Sequence, residues 1–213
     1  MSTEVKLQVE WKVIETVGEL YGKYHQLAKI DGKVKEFLSK LDISVDWNPS
    51  HDAAGINDDW PIGWGVFVDD NYNFALLVNF EDHIQVVSSS EKGELSKPLQ
   101  HISKVLTKFS KMIFSQDSAL GFLTTSPKNL GTAFDLHARV LTHTNLSEKT
   151  EELLLKNYKC QITKKEKWLY DIDLARTLVP HFSENDSINM FLDCIEWALN
   201  THEPQEDEND KAP

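Results

Sequence analysis

Three consecutive residues, Glu81, Asp82 and His83, are the most obvious candidates for chemistry in this chain. Two carboxylates beside an imidazole are groups that move protons in general acid–base catalysis. The same run also reads as a polar turn between strands. Eight histidines are present, at positions 25, 51, 83, 101, 137, 143, 181 and 202. None stands in an H-x-x-x-H or H-E-x-x-H spacing, and His137 and His143 lie at opposite ends of one strand-like run, so no metal site is expected. Gly63-Trp64-Gly65 is a glycine pair without the rest of a phosphate loop, since neither G-x-x-x-x-G-K-[ST] nor G-x-G-x-x-G occurs. Ser126 precedes Pro127 outside any G-x-S-x-G frame, which makes it a poor hydrolase nucleophile. Two cysteines, Cys160 and Cys194, are too few for a disulfide framework and fit a reducing compartment.

Charge narrows the partners. Among 213 residues, 34 are acidic and 22 are basic, for a formal charge of -12. Phosphate backbones and anionic membranes repel such a chain, so neither nucleic acid nor membrane is an expected partner. Only Arg139 and Arg176 among the basic residues are arginine. Arginine supplies the planar, bidentate grip on phosphate that lysine cannot. A clamp of several arginines therefore cannot be assembled from this chain. The polar N-terminus and the absence of a long apolar run read as a soluble, intracellular protein.

The elements that would position these groups follow from periodicity. Helical spacing is read over 5–27 from Trp11 onwards, and a second helix over 32–41 with Val34, Phe37, Leu38 and Leu41 on one face. Residues 42–62 read as a loop. The period then changes to short β-prone runs at Gly65–Val68, Phe74–Asn79 and Ile84–Ser88, an antiparallel meander. Leu95, Leu99, Ile102, Leu106, Phe109 and Ile113 describe an amphipathic helix. Strands are predicted at Leu120–Thr124 and Phe134–Leu141, with a helix over 147–157. Tyr158–Ile162 and Trp168–Ile172 read as strands joined by a turn at Thr163–Glu166. A last helix over 185–200 turns Ile188, Phe191, Ile195 and Leu199 inward. The tail Glu203–Pro213 is acidic, lacks apolar anchors and reads as disordered. Helices flanking an antiparallel β-sheet define an α+β fold.

Taken together, several segments carry a resemblance. They are Trp60-Pro61-Ile62-Gly63-Trp64-Gly65, Asn79-Phe80-Glu81-Asp82-His83-Ile84-Gln85, Gly121-Phe122-Leu123-Thr124, Ser126-Pro127-Lys128-Asn129-Leu130-Gly131-Thr132 and Tyr170-Asp171-Ile172. In order and spacing they resemble the phosphagen (guanidino) kinases, the arginine and creatine kinase family. The corresponding family patterns include W-P-x-x-R-G, N-E-E-D-H-L-R, C-P-x-N-L-G-T and V-Y/F-D-I/V-S. The resemblance runs from about residue 10 to residue 200. It implies the family's catalytic-domain fold, with an N-terminal helical segment and loop over 1–58, a phosphagen-kinase-like C-terminal domain over 59–202, and the acidic tail over 203–213. It also implies phosphoryl transfer between Mg-ATP and a guanidino compound, catalysed by positioning and charge neutralisation.

This sequence departs from the family where that chemistry resides. The Arg of W-P-x-x-R-G is Trp64, and the first Glu of N-E-E-D-H is Phe80. Glu81, a substrate carboxylate in the family, is kept. Two phosphate-contact arginines become Gln85 and Asp135, and the substrate thiol becomes Ser126. The arginine-rich R-G-T-R-G segment is Ile162-Thr163-Lys164-Lys165-Glu166, and the substrate loop that should follow it is almost absent. The S-T-R-V-R strand and the small helical domain have no counterpart in this sequence. Glu81, Ser126 and Asn129 then stand as remnants of a substrate pocket, and Gln85 and Asp135 as degenerate phosphate contacts. The expectation is a catalytically inactive protein without cofactor or metal. It would act structurally or as a regulator through a protein partner, such as an active phosphagen kinase or a cytoskeletal or axonemal assembly, in the cytoplasm. The alternative is a residual ATP:guanidino phosphotransferase, using ATP and magnesium, or a guanidino- or amine-binding module.

Overall fold

A computed structural model describes residues 2–46, 59–91, 93–125, 129–175 and 183–200. The chain divides into two compact units, Met1–Ile113 and Phe114–Pro213. Ser126, Arg176, most of the loop before Asp59 and the acidic tail lie outside the described residues.

The first unit is built on a four-stranded antiparallel sheet in the order β1-β2-β3-β4. These strands are Gly22–Gln26, Gly65–Asp69, Phe74–Val78 and Ile84–Ser88. Every residue of β2 and β3 is buried, so alternate side chains must pack on both faces. On one face Phe67, Phe74, Leu76 and Val78 meet Val13 and Val17 of helix α1 (Thr3–Val17) and Val105 of helix α3 (Ser96–Lys108). On the other, Val66, Val68, Ala75 and Leu77 meet Val34 and Leu38 of helix α2 (Gly32–Lys40). Asp69 closes the β2–β3 hairpin, since its carboxylate accepts from the Asn73 and Phe74 backbone N–H groups at 2.5 and 2.9 Å.

Two expectations for this unit are corrected. The helical spacing read over 5–27 ends at Val17, and Gly22–Gln26 is an edge strand paired with β2. Gly22 allows that pairing: a Cβ there would stand 2.5 Å from both the Phe67 ring and the Val68 carbonyl. The outer edge of β2 needs hydrogen-bond partners, and this requirement overrides a local apolar rhythm. Helix α3 stops at Lys108, and it buries Pro98, Val105 and Phe109, the last at its C-cap. Leu106 is half-exposed and Ile113 fully exposed, so the inward stripe is rotated from the expected one.

The second unit carries a two-stranded ribbon, β5 (Gln116–Asp117) with β6 (Gly121–Phe122), and a three-stranded antiparallel sheet in the order β7-β9-β8. The larger sheet comprises His137–Leu141, Cys160–Glu166 and Leu169–Leu174, numbered β7, β8 and β9. Helices α4 (Glu148–Tyr158) and α5 (Glu184–Asn200) pack beside each other, α4 on β8 and α5 on β7 and β9. The turn expected at Thr163–Glu166 lies instead at Lys167–Trp168, because an irregularity between Lys164 and Glu166 lets both strands run on. The strands expected at Leu120–Thr124 and Phe134–Leu141 are shorter than the pattern suggested. Helix α5 buries Ser187, Phe191, Cys194 and Ala198, with Ile188, Ile195 and Leu199 half-buried beside them. No helix among the described residues is long and apolar enough to cross a membrane.

Candidate functional site

In the first unit the site begins at the β3–β4 turn, where the sequence places Glu81, Asp82 and His83. The turn is held by Asn79, which is buried and adopts φ 60°. Asparagine tolerates this left-handed conformation better than most residues. Its Nδ2 donates to the Gly63 carbonyl at 2.6 Å and to the Lys6 carbonyl at 2.9 Å. Its Oδ1 lies 2.9 Å from His83 Nδ1, and its backbone N–H donates to the His83 carbonyl at 3.0 Å. Since both Nδ2 hydrogens are engaged with carbonyls, Oδ1 must accept, and Nδ1 is the His83 nitrogen that carries the proton. Burial pushes the His83 imidazole below its ordinary value, and the Asp82 carboxylate offsets this only in part. Through Nδ1, His83 serves the turn. Glu81 and Asp82 stand half-buried in the same turn, and Gln85 is exposed on β4 opposite Leu77.

The two motif positions that lost a charge here touch each other. Trp64 is 4% exposed, and its ring lies 5.2 Å from that of Phe80 at an interplanar angle of 52°. Where the family patterns have an arginine and a glutamate, this chain has an aromatic contact. The pair packs with Leu27, Ile30, Val45 and Trp60. The buried Lys6 ammonium lies 5.9 Å from the centre of the Trp64 ring. The Trp64 indole N–H has no hydrogen-bond partner among the described residues.

In the second unit, Asn129 is half-buried, and Ser126 falls outside the described residues. The glycine of the N-L-G-T segment serves backbone packing. Phe122 N–H donates to the Gly131 carbonyl at 2.8 Å, and a Cβ on Gly121 would stand 2.5 Å from that oxygen. Gly121 also sits at φ 71°. Gly121→Ala should therefore cost about 2 kcal/mol through overpacking against backbone. Denaturant unfolding checks this, and a loss below about 0.5 kcal/mol, the range of neutral surface changes, would contradict it. Asp135 is exposed, and its carboxylate accepts from the Leu136 N–H at 2.9 Å.

Sequence reasoning missed the densest polar cluster of this unit. Tyr170-Asp171-Ile172 lies on the central strand β9, with Tyr170 and Ile172 fully buried. The Tyr170 hydroxyl accepts from the Leu146 N–H at 2.9 Å. Asp171 lies directly opposite Arg139 of β7. Its side chain is 6% exposed and accepts from Arg139 Nε at 2.8 Å and Nη2 at 3.2 Å, while Lys165 Nζ lies 3.0 Å away. The Arg139 guanidinium holds the Asp171 carboxyl below the usual carboxylate range, against the opposing effect of burial, and Lys165 adds to it. His137 Nδ1 lies 2.7 Å from Asp173 on the same face. The one described arginine is thus in a fork–fork pair, and Lys165, one of the two lysines in the arginine-poor segment, joins the same carboxylate. The Arg139–Asp171 pairing was legible only as two residues on separate strand-like runs, because α4 and β8 lie between β7 and β9 in the chain and no local turn sets their register. Among the described residues no group of three or more His, Cys, Asp or Glu could hold a metal ion.

A sequence model of the ATP:guanido phosphotransferase C-terminal catalytic domain matches residues 4–195. An arginine kinase of Turbo cornutus is 32% identical over 179 residues, covering 76% of this chain and 48% of that protein. A taurocyamine kinase of Schistosoma mansoni is 30% identical over 149 residues, covering 66% of this chain and 20% of that protein. This chain thus matches about half of the arginine kinase's length and a fifth of the taurocyamine kinase's. The structure of the duplicated taurocyamine kinase from Schistosoma mansoni with bound transition-state analogue components superposes with a TM-score of 0.79 at 25% identity, covering 93% of this chain and 29% of that one. A lombricine kinase shares the fold, with a TM-score of 0.76 at 19% identity over 92% of this chain and 58% of that one. The retained motifs, the antiparallel sheets with their helices and these likenesses agree, and the chain belongs to the ATP:guanido phosphotransferase family, in the part that forms its C-terminal catalytic domain.

Proposed function

We propose that this member of the family transfers no phosphoryl group and works by protein–protein contact, as a structural or regulatory module. One observation carries the reading: the charge at the positions where the family would hold phosphates. Gln85 is neutral and exposed, and Asp135 is anionic and exposed. Trp64 is buried in an aromatic contact, and Arg139 is engaged with Asp171. These side chains do not fit a triphosphate, which needs several fixed cations. Losing one preorganised charge partner typically costs about 100- to 1,000-fold in rate. Such losses are not additive, yet even two of them remove useful turnover.

The reading is tested with purified protein, Mg-ATP, and arginine, creatine or taurocyamine, by following ADP release in a coupled assay. The expected rate is that of the blank. Turnover that Glu81→Ala abolishes would overturn the proposal. Its partner, on this reading, is a cytoplasmic protein such as an active phosphagen kinase or a cytoskeletal or axonemal assembly, and not nucleic acid or membrane. A second reading, a guanidino- or amine-binding module or a residual phosphotransferase, is favoured by the retained Glu81 in a turn that Asn79 holds in place. Calorimetry with the same compounds separates the two: heat that disappears in Glu81→Ala supports the second, and none beyond dilution supports the first.

A further inference from the structure

Helix α1 is packed contrary to its composition. The face turned to the sheet buries Lys6 and Glu10 together with Val13 and Val17. Glu10 is satisfied there by the Tyr24 hydroxyl, which donates to it at 3.0 Å. Beside that face, about a quarter-turn round the helix, Leu7, Trp11 and Ile14 are exposed, Trp11 to 65%. Their spacing, i, i+4 and i+7, puts three anchors on one line of the helix. The loop ahead of β2 extends the patch. Gly63 lies against Lys6 and the Leu7 backbone, and the neighbouring Ile62 is exposed. An exposed apolar line centred on a tryptophan is the composition of a binding hot spot, and anchors at this spacing are what one helix offers another along an apolar seam.

Charge around the patch selects the occupant. Glu4 and Glu15 are exposed along one side of the line, and Asp59, bonded to the Thr3 hydroxyl, stands at the helix start. The only exposed base on α1, Lys12, lies further round the helix, beyond Gln8. Two copies meeting through this face would bring their acidic rims together, and each chain carries a net charge of -12. A basic rim would be attracted instead.

We infer that the exposed strip of α1 centred on Trp11 is a docking surface for a protein partner that presents an apolar helix face rimmed by lysine or arginine. The inference rests on the protein-contact reading above and names the surface that reading requires.

The probe is a labelled helical peptide of leucine and lysine with one apolar face, titrated into the full chain by fluorescence anisotropy. The same peptide with glutamate in place of lysine is the control. The expected result is saturable binding of the lysine peptide, weakened about 10-fold or more by Trp11→Ala, as for a hot-spot residue. Glu4→Gln with Glu15→Gln should weaken it about 3-fold and flatten its salt dependence. Leu192→Ala, an exposed apolar site on α5, should leave it unchanged. Binding that Trp11→Ala does not weaken, or a glutamate peptide that binds as well, overturns the inference. Sedimentation covers the other occupant: a dimer of the chain alone that Trp11→Ala dissociates makes a second copy the partner and also overturns it. None of these outcomes bears on phosphoryl transfer, which the ADP-release assay decides separately.

Discussion

Asn79→Ala should destabilise the first unit by about 3 kcal/mol, because buried hydrogen-bonded groups lose their partner. In a chain of this size that lowers the melting temperature by roughly 6 to 12 °C. The side chain links three segments at once: the carbonyl of Lys6 in α1, the carbonyl of Gly63 before β2, and the His83 ring in the β3–β4 turn. Alanine also meets the cost of a left-handed backbone, about 1 kcal/mol, which glycine avoids. Asn79→Gly should therefore be less damaging than Asn79→Ala, although it loses the same hydrogen bonds. Thermal and denaturant unfolding of both variants checks this. If Asn79→Ala lost less than about 1 kcal/mol, near the average for any substitution, the pinning role would be wrong. The His83 ring should also lose its fixed tautomer, visible as a changed imidazole nitrogen shift by NMR.

Asp171→Ala should cost about 2 to 3 kcal/mol, somewhat below the loss expected when a fully buried pair is broken. The reduction arises because Arg139 and Lys165 are about half exposed and gain water when the carboxylate is removed. The pH dependence has a definite sign. The folded Asp171 carboxyl is held below the unfolded value, so its contribution is present above the unfolded pKa, about 3.9, and is lost as pH falls through the folded one. The stability gap between the native chain and Asp171→Asn should therefore be constant from pH 5 to 7 and narrow below about pH 4. Unfolding curves across that range measure it. A gap independent of pH down to about 2 would show that Asp171 acts by packing alone.

Both predictions concern motif residues whose retention has a structural explanation. Gly121 and Gly131 close a backbone contact, Tyr170 satisfies an N–H, Asp171 ties β9 to Arg139 and Lys165, and Asn79 seats a turn. Scaffold demands alone can keep these residues in place. This is why motif retention and the proposed loss of chemistry are compatible.

Much of this was readable from residues. The meander of β2, β3 and β4 was legible because short apolar runs with β-branched and aromatic residues between polar turns have few other solutions. The family was legible because its segments are local and contiguous, and the match over 4–195 agrees with them. The shortage of arginine needed no structure, since composition limits what any fold can assemble. Strand β1 was not legible: Tyr24 within it and Tyr21 just before it continue a helical rhythm, and only the unpaired edge of β2 makes a strand of it. Nor was the meeting of Trp64 with Phe80, because each replacement looks like an isolated loss until the loop before β2 comes against the β3–β4 turn. The outward aim of Trp11 belongs to the same class. Periodicity shows that a helix has sides, but which side faces water depends on what the sheet beneath can bury, here Lys6 and Glu10. Local chemistry is written along the chain, whereas partnership between distant residues exists only once the backbone has closed around them.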